Sequence, residues 1–589
     1  MSRRLWLAAL LVALSVSTPH AQDAISSKQR IADLEQLVSF YDKNYGPYEW
    51  KRDVIGFDLL RLTPWLQRIQ HSDDLDFQEA LIEYVASLND AHDLIAFPTT
   101  FFASLGFSVD IYDGKVLIDS INRLALPIAQ FPFVVGDELV SVDNVPVQTL
   151  IESFRKYAIA ANPRSTDRVA ASRIVSRSQQ IMPHIPDLSD AATIVVRLAS
   201  SNMTQSFIVP WLKSGIPITS QGPLPSPVRG NGQIFLPPNQ QGQGQSSSQS
   251  ASSPLIFTAG NAVRADDTLP EYMEPIRPLL DASVSKDYQA VLGIGSRFPV
   301  YALPAGFVQR LGGPSTDFFF SGTYVSNGVR IGFIRIPSMS PPSVATALQQ
   351  LDSEIAFFNA NTDALVIDVT RNPGGLVSFV EAIAQRFIPT PVHIIGFEIR
   401  ATGAWLFSFA SQLNSARSNP ATPPQVLQNL ENNFNAVLDA YNENRGRSVP
   451  VSLNATGSLT LAPMPGAYTH PLMVLVDEFS ASGGDMFPAI IQDNNRGPLF
   501  GMRTMGAGGS VVAYQATAYT ESIFRITVSL MNRGRLIQTP EFPPAPYIEN
   551  IGVRPDIFFD YQTRTNLMTR GAPFVQAFTQ AIVNHASTH

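Results

Sequence analysis

The chain has 589 residues, which is too long for a single hydrophobic core, so the sequence predicts two to four domains. Hydrophobic residues make up 45% and charged residues 15%, and the net charge of -8 comes without a cluster of Lys and Arg. This composition is typical of a globular protein and argues against a nucleic-acid partner, since phosphate neutralisation needs concentrated positive charge. The lack of cysteine excludes disulfides, a cysteine nucleophile, thiolate metal sites and a lipidated N-terminal cysteine.

The first residues predict an export signal at 1–21. Two arginines, Arg3 and Arg4, precede a short apolar run from Leu5 to Val16, and small and polar residues follow up to Ala21. The run is short for a membrane span, so we expect cleavage near Ala21, with an amphipathic first helix as the alternative. No later stretch approaches the length of a span. We therefore expect an exported protein, periplasmic or secreted, without a stable membrane span.

Residues 22–100 predict a helical N-terminal region, because apolar residues recur there at helical spacing. Residues 101–214 predict a β-rich domain, since Phe107, Val109 and Ile111 alternate before the turn at Asp113 and Gly114. Residues 215–262 are crowded with Pro, Gly, Gln and Ser, which cannot bury enough apolar surface to offset chain entropy. We interpret them as a linker, with an ordered surface loop as the alternative.

Residues 263–589 predict an α/β domain, in which buried strands alternate with helices. The strands are expected at 329–336, 364–369 and 472–476, and the helices at 344–359, after residue 375 up to Phe387, and at 485–492. Residues 403–448 predict a mostly helical insertion. The fold class is therefore α/β, with a helical region and a β-rich domain before the catalytic core.

Two glycines, Gly374 and Gly375, follow a buried strand in the run Arg371–Gly375. Glycines that open a helix leave backbone N–H groups uncovered, and such groups can hold a developing oxyanion. The alternative is a tight turn that needs glycine only for its dihedral angles.

A second turn, Asp477–Asp485, leads from the next buried strand into a helix and carries Ser482 followed by Gly483. A serine at such a turn is exposed at the carboxyl end of the strand, as in a nucleophile elbow, although the G-x-S-x-G pattern is absent. The N–H of Gly483 could join an oxyanion hole. The alternative is that Ser482 is only a helix cap.

A third motif, the glycine-rich run Gly501–Ser510, could line a substrate cleft through Arg503, Thr504 and Gly506. It is not a phosphate loop, because the Walker spacing and its Lys-Ser/Thr pair are missing.

The order and spacing of these motifs resemble the tail-specific and tricorn-type serine peptidases. The likeness covers most of residues 329–556, including the phrase Glu549–Asp556, and it implies a crotonase-like β/α spiral with Ser482 as the nucleophile. One branch of this family uses a lysine on the glycine-rich loop, where this chain has Ala507. The last lysine of the chain is Lys286, so a Ser-Lys dyad would need a lysine from the N-terminal region, and we reject it.

The base is therefore expected to be a histidine, the side chain best suited to take a proton near neutral pH. The phrase Leu88–His92 (Leu-Asn-Asp-Ala-His) is similar to one in the histidine-using branch, which includes secreted chlamydial members. This resemblance implies that His92 is the base and that Glu549 orients it. The alternatives are a helix C-cap at His92 and the nearby carboxylate of Glu541. No cofactor or metal is expected.

The sequence thus predicts a serine endopeptidase that acts on proteins or peptides, and a homodimer is kept open.

The phrase Leu105–Phe107 and the run Gly136–Asp143 resemble a PDZ-type domain. Such a domain binds an extended peptide or, with its groove blocked, serves only for packing. Cleavage within the linker is a further hypothesis. The main alternative is a non-catalytic peptide- or lipophile-binding protein on the same fold. An acyl-CoA enzyme is disfavoured by the export signal.

Overall fold

The computed structural model describes residues 24–158, 161–219, 292–313, 316–515, 517–520 and 522–588. The predicted export signal at 1–21 and almost all of the predicted linker at 215–262 lie outside these residues. The hypothesis of cleavage in the linker therefore also lies outside them. Within the described residues, no helix is both long enough and apolar enough to cross a membrane.

The N-terminal region is helical, as predicted. Its first helix begins with a capping box, in which Ser26 and Gln29 satisfy each other's backbone N–H groups, and its fourth is capped by Asp73. A single π-helical turn, Lys51–Ile55, follows the second helix. The α-helices are α1 (Ser27–Asn44), α2 (Tyr48–Trp50), α3 (Thr63–Ile69) and α4 (Asp74–Ala86).

The next region is rich in strands, as predicted. Its main sheet has the order β3-β4-β5-β8-β9, and a small sheet has the order β10-β2-β7. The strands, after β1 (Leu94–Ala96) of the N-terminal region, are β2 (Phe102–Ser104), β3 (Phe107–Tyr112), β4 (Lys115–Ile121), β5 (Glu138–Val142), β6 (Val145–Pro146), β7 (Ser176–Ser178), β8 (Ala191–Arg197), β9 (Thr204–Pro210) and β10 (Leu212–Ser214). Two α-helices, α5 (Val147–Phe154) and α6 (Pro163–Val175), complete the region.

The C-terminal region contains a seven-stranded sheet of order β11-β12-β13-β14-β18-β19-β24. The pairs from β13 to β24 are parallel, and they bury near-continuous apolar strands, as the sequence predicts. The strands are β11 (Val308–Leu311), β12 (Phe320–Ser326), β13 (Val329–Arg335), β14 (Ala364–Asp368), β15 (Val392–His393), β16 (Gly396–Ile399), β17 (Thr460–Leu461), β18 (Leu472–Val476), β19 (Leu499–Gly501), β20 (Val511–Gln515), β21 (Ile523–Thr527), β22 (Ser529–Ile537), β23 (Ala545–Tyr547) and β24 (Ile557–Phe558).

Helices cover this sheet, and two of them form the predicted insertion between residues 403 and 448. They are α7 (Val344–Asn361), α8 (Val377–Phe387), α9 (Gly403–Ser418), α10 (Pro424–Asn442), α11 (Gly483–Asp493), α12 (Arg564–Met568) and α13 (Ala572–Ala586). The predicted helices and strands of this region are found within a few residues of their expected bounds.

The N-terminal region reaches the α/β region through a shared sheet. Strand β1 pairs antiparallel with β21, so that Leu94 lies opposite Arg525, and the order of this sheet is β1-β21-β20. The backbone N–H of Thr527 donates to the Asp93 carboxylate at 2.8 Å, which extends the contact beyond the strand. The loop before β1, which carries His92, is thereby held against the C-terminal region.

Candidate active site

Ser482 lies at a strained turn between strand β18 and helix α11. Its φ of 55° and ψ of -114° are a conformation that a residue with a Cβ rarely adopts. Strain of this kind persists only where the surrounding structure enforces it, and it is found at active sites. A strand that turns this sharply into a helix presents its serine as a nucleophile elbow does.

The turn at Gly374 packs directly against Ser482. A Cβ added to Gly374 would lie 2.6 Å from the Ser482 Cβ and 2.5 Å from the Gly483 nitrogen, and the φ of Gly374 is 86°. The N–H of Ala481 donates to the Asn372 carbonyl at 2.8 Å, which ties the two turns together. Only glycine fits this position, so the two motifs that the sequence singled out form one site.

The backbone N–H groups differ in their availability for an oxyanion. The N–H of Gly374 already donates to the Asn372 side-chain oxygen at 2.8 Å. Gly483 is the first residue of α11, where an N–H has no acceptor within the helix. Among the hydrogen bonds of the described residues, none uses the N–H of Gly375 or Gly483. Of the two glycines that the sequence left open, the geometry favours Gly375.

Asp485 holds the serine turn to the glycine-rich loop, a role that the sequence analysis missed. Its buried carboxylate accepts the N–H of Ser482 at 2.7 Å, of Gly506 at 2.9 Å and of Ala507 at 3.1 Å. Burial raises the pKa of Asp485 to about 6, although these donors oppose the rise. The Ser-x-x-Asp spacing at the start of α11 is a capping-box pattern and could have indicated this residue.

The predicted cleft residues of the glycine-rich loop have different surroundings. Thr504 has no exposed surface, and its hydroxyl donates to Asp485 and accepts the N–H of Val553 at 2.7 Å. Its side chain thus supports the loop from inside, and the role of Thr504 in a substrate cleft stays a prediction. Gly506 also binds Asp485 through its N–H. Arg503 is half-buried and remains a candidate for contact with substrate.

His92 lies in the loop between α4 and β1 and is fully buried. The Asp90 carboxylate accepts the backbone N–H of His92 at 2.9 Å, and the same carboxylate accepts the Tyr45 hydroxyl at 3.0 Å. Burial lowers the pKa of His92 to about 4, with the negative charge of Asp90 opposing the shift. The imidazole is therefore neutral at pH 7, which is the state that a general base requires.

Glu549 is fully buried and borders the glycine-rich loop. Its carboxylate accepts the N–H of Gly508 at 2.8 Å and the Lys51 ammonium group at 2.5 Å. Burial raises its pKa, and Lys51 opposes that rise. The rival carboxylate, Glu541, is exposed and pairs with Arg554, so the geometry favours Glu549.

Lys51 is the residue of this site that the sequence analysis overlooked. A Ser-Lys dyad would need a lysine from the N-terminal region, and Lys51 comes from there. It is fully buried, and its ammonium group also donates to the Asn89 carbonyl at 2.8 Å. Nothing in the run Lys51–Asp53 distinguishes this lysine from a surface residue, so the sequence carried no signal for it.

Among the described residues, no group of His, Asp and Glu could hold a metal ion.

Comparisons with known proteins agree with this architecture. Residues 330–558 match the family described as peptidase family S41, and residues 102–214 match the PDZ domain. The crystal structure of mature CPAF is similar with a TM-score of 0.70 and 21% identity, and it covers 95% of this chain and 98% of that one. The structure of mature CPAF complexed with lactacystin is similar to the same degree, over 96% of this chain and 99% of that one.

Two chlamydial relatives match along nearly their whole length. A protein of Chlamydia trachomatis serovar D is 26% identical over 94% of this chain and 92% of its own. A protein of Chlamydia pneumoniae is 28% identical over 94% of this chain and 89% of its own. The predicted likeness to the tail-specific serine peptidases and their chlamydial members is confirmed. Residues 330–558 therefore match peptidase family S41, the segment before them matches the PDZ domain, and the protein is a serine peptidase.

Proposed function

We propose that this protein is an exported endopeptidase in which Ser482 is the nucleophile, His92 the general base and Glu549 the group that orients the histidine. The observation that carries the proposal is the strained backbone of Ser482 against Gly374, next to the N–H of Gly483, which no acceptor among the described residues takes up. A hydroxyl beside unused backbone donors is the arrangement that acyl transfer needs.

The reaction follows from these groups. His92 takes the proton of the Ser482 hydroxyl, and the oxygen attacks a peptide carbonyl. The N–H groups of Gly483 and Gly375 hold the negative charge on the carbonyl oxygen. His92 then gives its proton to the leaving amine, and water hydrolyses the acyl-enzyme with His92 again as the base.

The closed surroundings of the site add a requirement. Ser482 is 8% exposed and His92 is fully buried, so a peptide can reach them only after the structure around them opens. Opening of this kind commonly controls access to an active site. The proposal therefore includes an opening step before the peptide binds.

Hydrolysis of casein and labelling by a fluorophosphonate probe test the proposed nucleophile and base. Ser482→Ala and His92→Ala are each expected to abolish casein hydrolysis, and Ser482→Ala is expected to abolish labelling. Ser418→Ala and His393→Ala are the controls, because both residues are exposed and distant from the serine turn in sequence. Lactacystin, which is bound to mature CPAF in a solved structure, is expected to compete with the probe.

The test also separates the alternative, a non-catalytic peptide- or lipophile-binding protein. A purified wild-type protein that neither hydrolyses casein nor takes the probe would support that alternative. Full activity in Ser482→Ala would remove Ser482 from the mechanism.

We further propose that the α/β region is a crotonase-like β/α spiral, which its run of parallel strands from β13 to β24 supports.

Export is proposed from the predicted signal at 1–21. The mature N-terminus is then expected near residue 22 in protein collected from the periplasm or the medium. A homodimer stays open, and light scattering of the purified protein decides between monomer and dimer.

A further inference from the structure

The ammonium group of Lys51 is enclosed by three acceptors. They are Oε1 of Glu549 at 2.5 Å, Oδ1 of Asn550 at 2.7 Å and the backbone oxygen of Asn89 at 2.8 Å. The side chain of Lys51 is 1% exposed and that of Glu549 is not exposed at all. An isolated buried charge is very costly, so a lysine persists in such a place only when it is paired and fully hydrogen-bonded.

The contacts of Lys51 fit a charged side chain. An ammonium group has three N–H donors and no acceptor, which matches three acceptors, one of them a carboxylate. A neutral amine would have one donor fewer and would turn a lone pair toward an oxygen. Lys51 and Glu549 therefore form a buried ion pair, in which the three acceptors match the three donors of an ammonium group.

The cation joins the two loops that carry the proposed base and its orienting acid. Asn89 begins the turn that leads to His92, and the side-chain amide of Asn550 also donates to the Asn89 carbonyl at 2.8 Å. The Trp50 indole donates to the Asn550 side-chain oxygen at 3.1 Å. Lys51 itself begins a π-helical turn, a local irregularity that is frequent at functional sites.

The charges around this cluster are mostly negative. Asp90 and Asp93 approach Glu549 from the His92 loop, and Tyr45 approaches it from the end of α1. Arg525 approaches His92 from β21. Burial raises the pKa of both Asp93 and Glu549, and Lys51 opposes the rise in each case. Loss of the lysine charge would favour a protonated Glu549, because a buried carboxylate without a counter-ion is costly.

We propose that Lys51 is a positioning residue of the active site, which joins the His92 loop to Glu549 and stabilises the charged form of the Glu549 carboxylate. The inference rests on the proposed function, since it assigns a purpose to the charge of Glu549. An ionised Glu549 stabilises the imidazolium that forms when His92 takes the serine proton. Lys51 acts through Glu549 and does not touch the reacting atoms.

The test compares Lys51→Met, which removes the charge but keeps an unbranched chain, with Lys51→Arg, which keeps the charge. In Lys51→Met we expect kcat to fall by about tenfold to a hundredfold, while KM changes little. We also expect the acidic limb of the kcat/KM profile to move to higher pH, since Glu549 then holds its proton more tightly. Lys51→Arg is expected to restore part of kcat and the position of the acidic limb.

Lys156→Met is the matched control, because Lys156 is ion-paired with Glu79 and Glu83 but makes no contact with Glu549. It should leave kcat and the pH profile unchanged. A purely structural role for Lys51 would lower the melting temperature and the yield of folded enzyme without moving the acidic limb. That result would overturn the inference.

A second measurement does not depend on activity. Lys51→Met alone should lower the melting temperature, and Glu549→Gln added to it should restore part of the loss, because the unpaired carboxylate is then gone. Additive effects of the two changes would overturn the ion pair. A different outcome is that the effects of the two changes on the melting temperature are coupled, but the wild-type protein hydrolyses nothing. That outcome would overturn the proposed function and would support the ion pair.

Discussion

At the scale of single residues, two features define the site: the strained backbone of Ser482 and the close approach of Gly374 to it. Its φ of 55° would cost little in glycine but is disfavoured for serine. Gly374 lies so near that no side chain fits between the two turns. The carboxylate of Asp485 then fixes the backbone N–H of Ser482. The position of the hydroxyl is thus set by its backbone, which is the condition for a preorganised nucleophile.

Substitution of Gly374 tests how closely the two turns must approach. Gly374→Ala is expected to lower the rate of probe labelling by about 100-fold or more, since a displacement of about 1 Å is enough for such a loss. Gly466→Ala is the control, because Gly466 has a similar φ of 78° but open space where its Cβ would lie. Both variants carry a similar backbone strain, so both should lower the melting temperature to a similar degree. If only Gly374→Ala also loses labelling, the loss is due to the contact between Gly374 and Ser482. Unchanged labelling in Gly374→Ala would contradict this account.

The buried His92 predicts a loss of stability in mild acid. Its folded-state pKa of about 4 lies below its ordinary value of 6.5. The unfolded chain therefore binds a proton more readily, and stability is lost as the pH falls from about 6.5 to about 4, by about 3 kcal/mol in all. Urea unfolding of the wild type and of His92→Gln across this range should give a steeper decline for the wild type.

The control for this measurement is His393→Gln, since His393 lies at the surface. It should decline with pH as the wild type does. Equal slopes for the wild type and His92→Gln would mean that His92 is not the buried neutral histidine described above.

At the scale of elements, helix α6 of the PDZ domain reaches into the peptidase domain. Arg168 on this helix binds Asp110 on β3 and Glu478 in the serine turn, and its guanidinium lies 4.4 Å from the Phe479 ring centre. The chain itself also contacts β3, since the side-chain amide of Gln562 donates to the Ile111 carbonyl at 3.3 Å. Of the two alternatives for this domain, these contacts favour a packing module over a free peptide groove.

The buried ion pairs of Arg168 predict a large cost when the cation is removed. Arg168→Met leaves the carboxylates of Asp110 and Glu478 buried with less compensation, and we expect a loss of about 3–5 kcal/mol in the free energy of unfolding. Arg330→Met is the control, because the Arg330–Asp363 pair is exposed and should contribute little to the free energy of unfolding. Urea unfolding measures both. Equal losses in the two variants would show that burial does not decide the strength of these pairs.

At the scale of the whole molecule, one apolar cluster runs through the N-terminal helices, the PDZ domain and the peptidase domain. The active site depends on this continuity, because its members come from distant parts of the chain. Lys51 and Glu549 are 498 residues apart, and Tyr41 donates through its hydroxyl to the Arg525 carbonyl. If the proposed roles of His92 and Glu549 hold, the N-terminal region is a part of the catalytic unit.

The sequence by itself determined the elements and the serine turn. Alternation, apolar runs and glycine turns are local patterns, so the strands Val329–Arg335 and Ala364–Asp368 and the helix Val344–Asn361 could be predicted from neighbouring residues alone. The family phrases added Ser482, His92 and Glu549. The burial of Thr504 could not be predicted, because a loop residue gives no local sign of which way it turns.

Only the tertiary structure decided which charges meet. Lys51 looks like any surface lysine in the sequence, and its neighbours Arg52 and Asp53 are exposed. In the folded chain its ammonium group is enclosed by the acceptors that Glu549, Asn550 and Asn89 supply. A buried cation is stable only where such acceptors converge, and convergence across nearly 500 residues is a property of the folded chain and not of any segment.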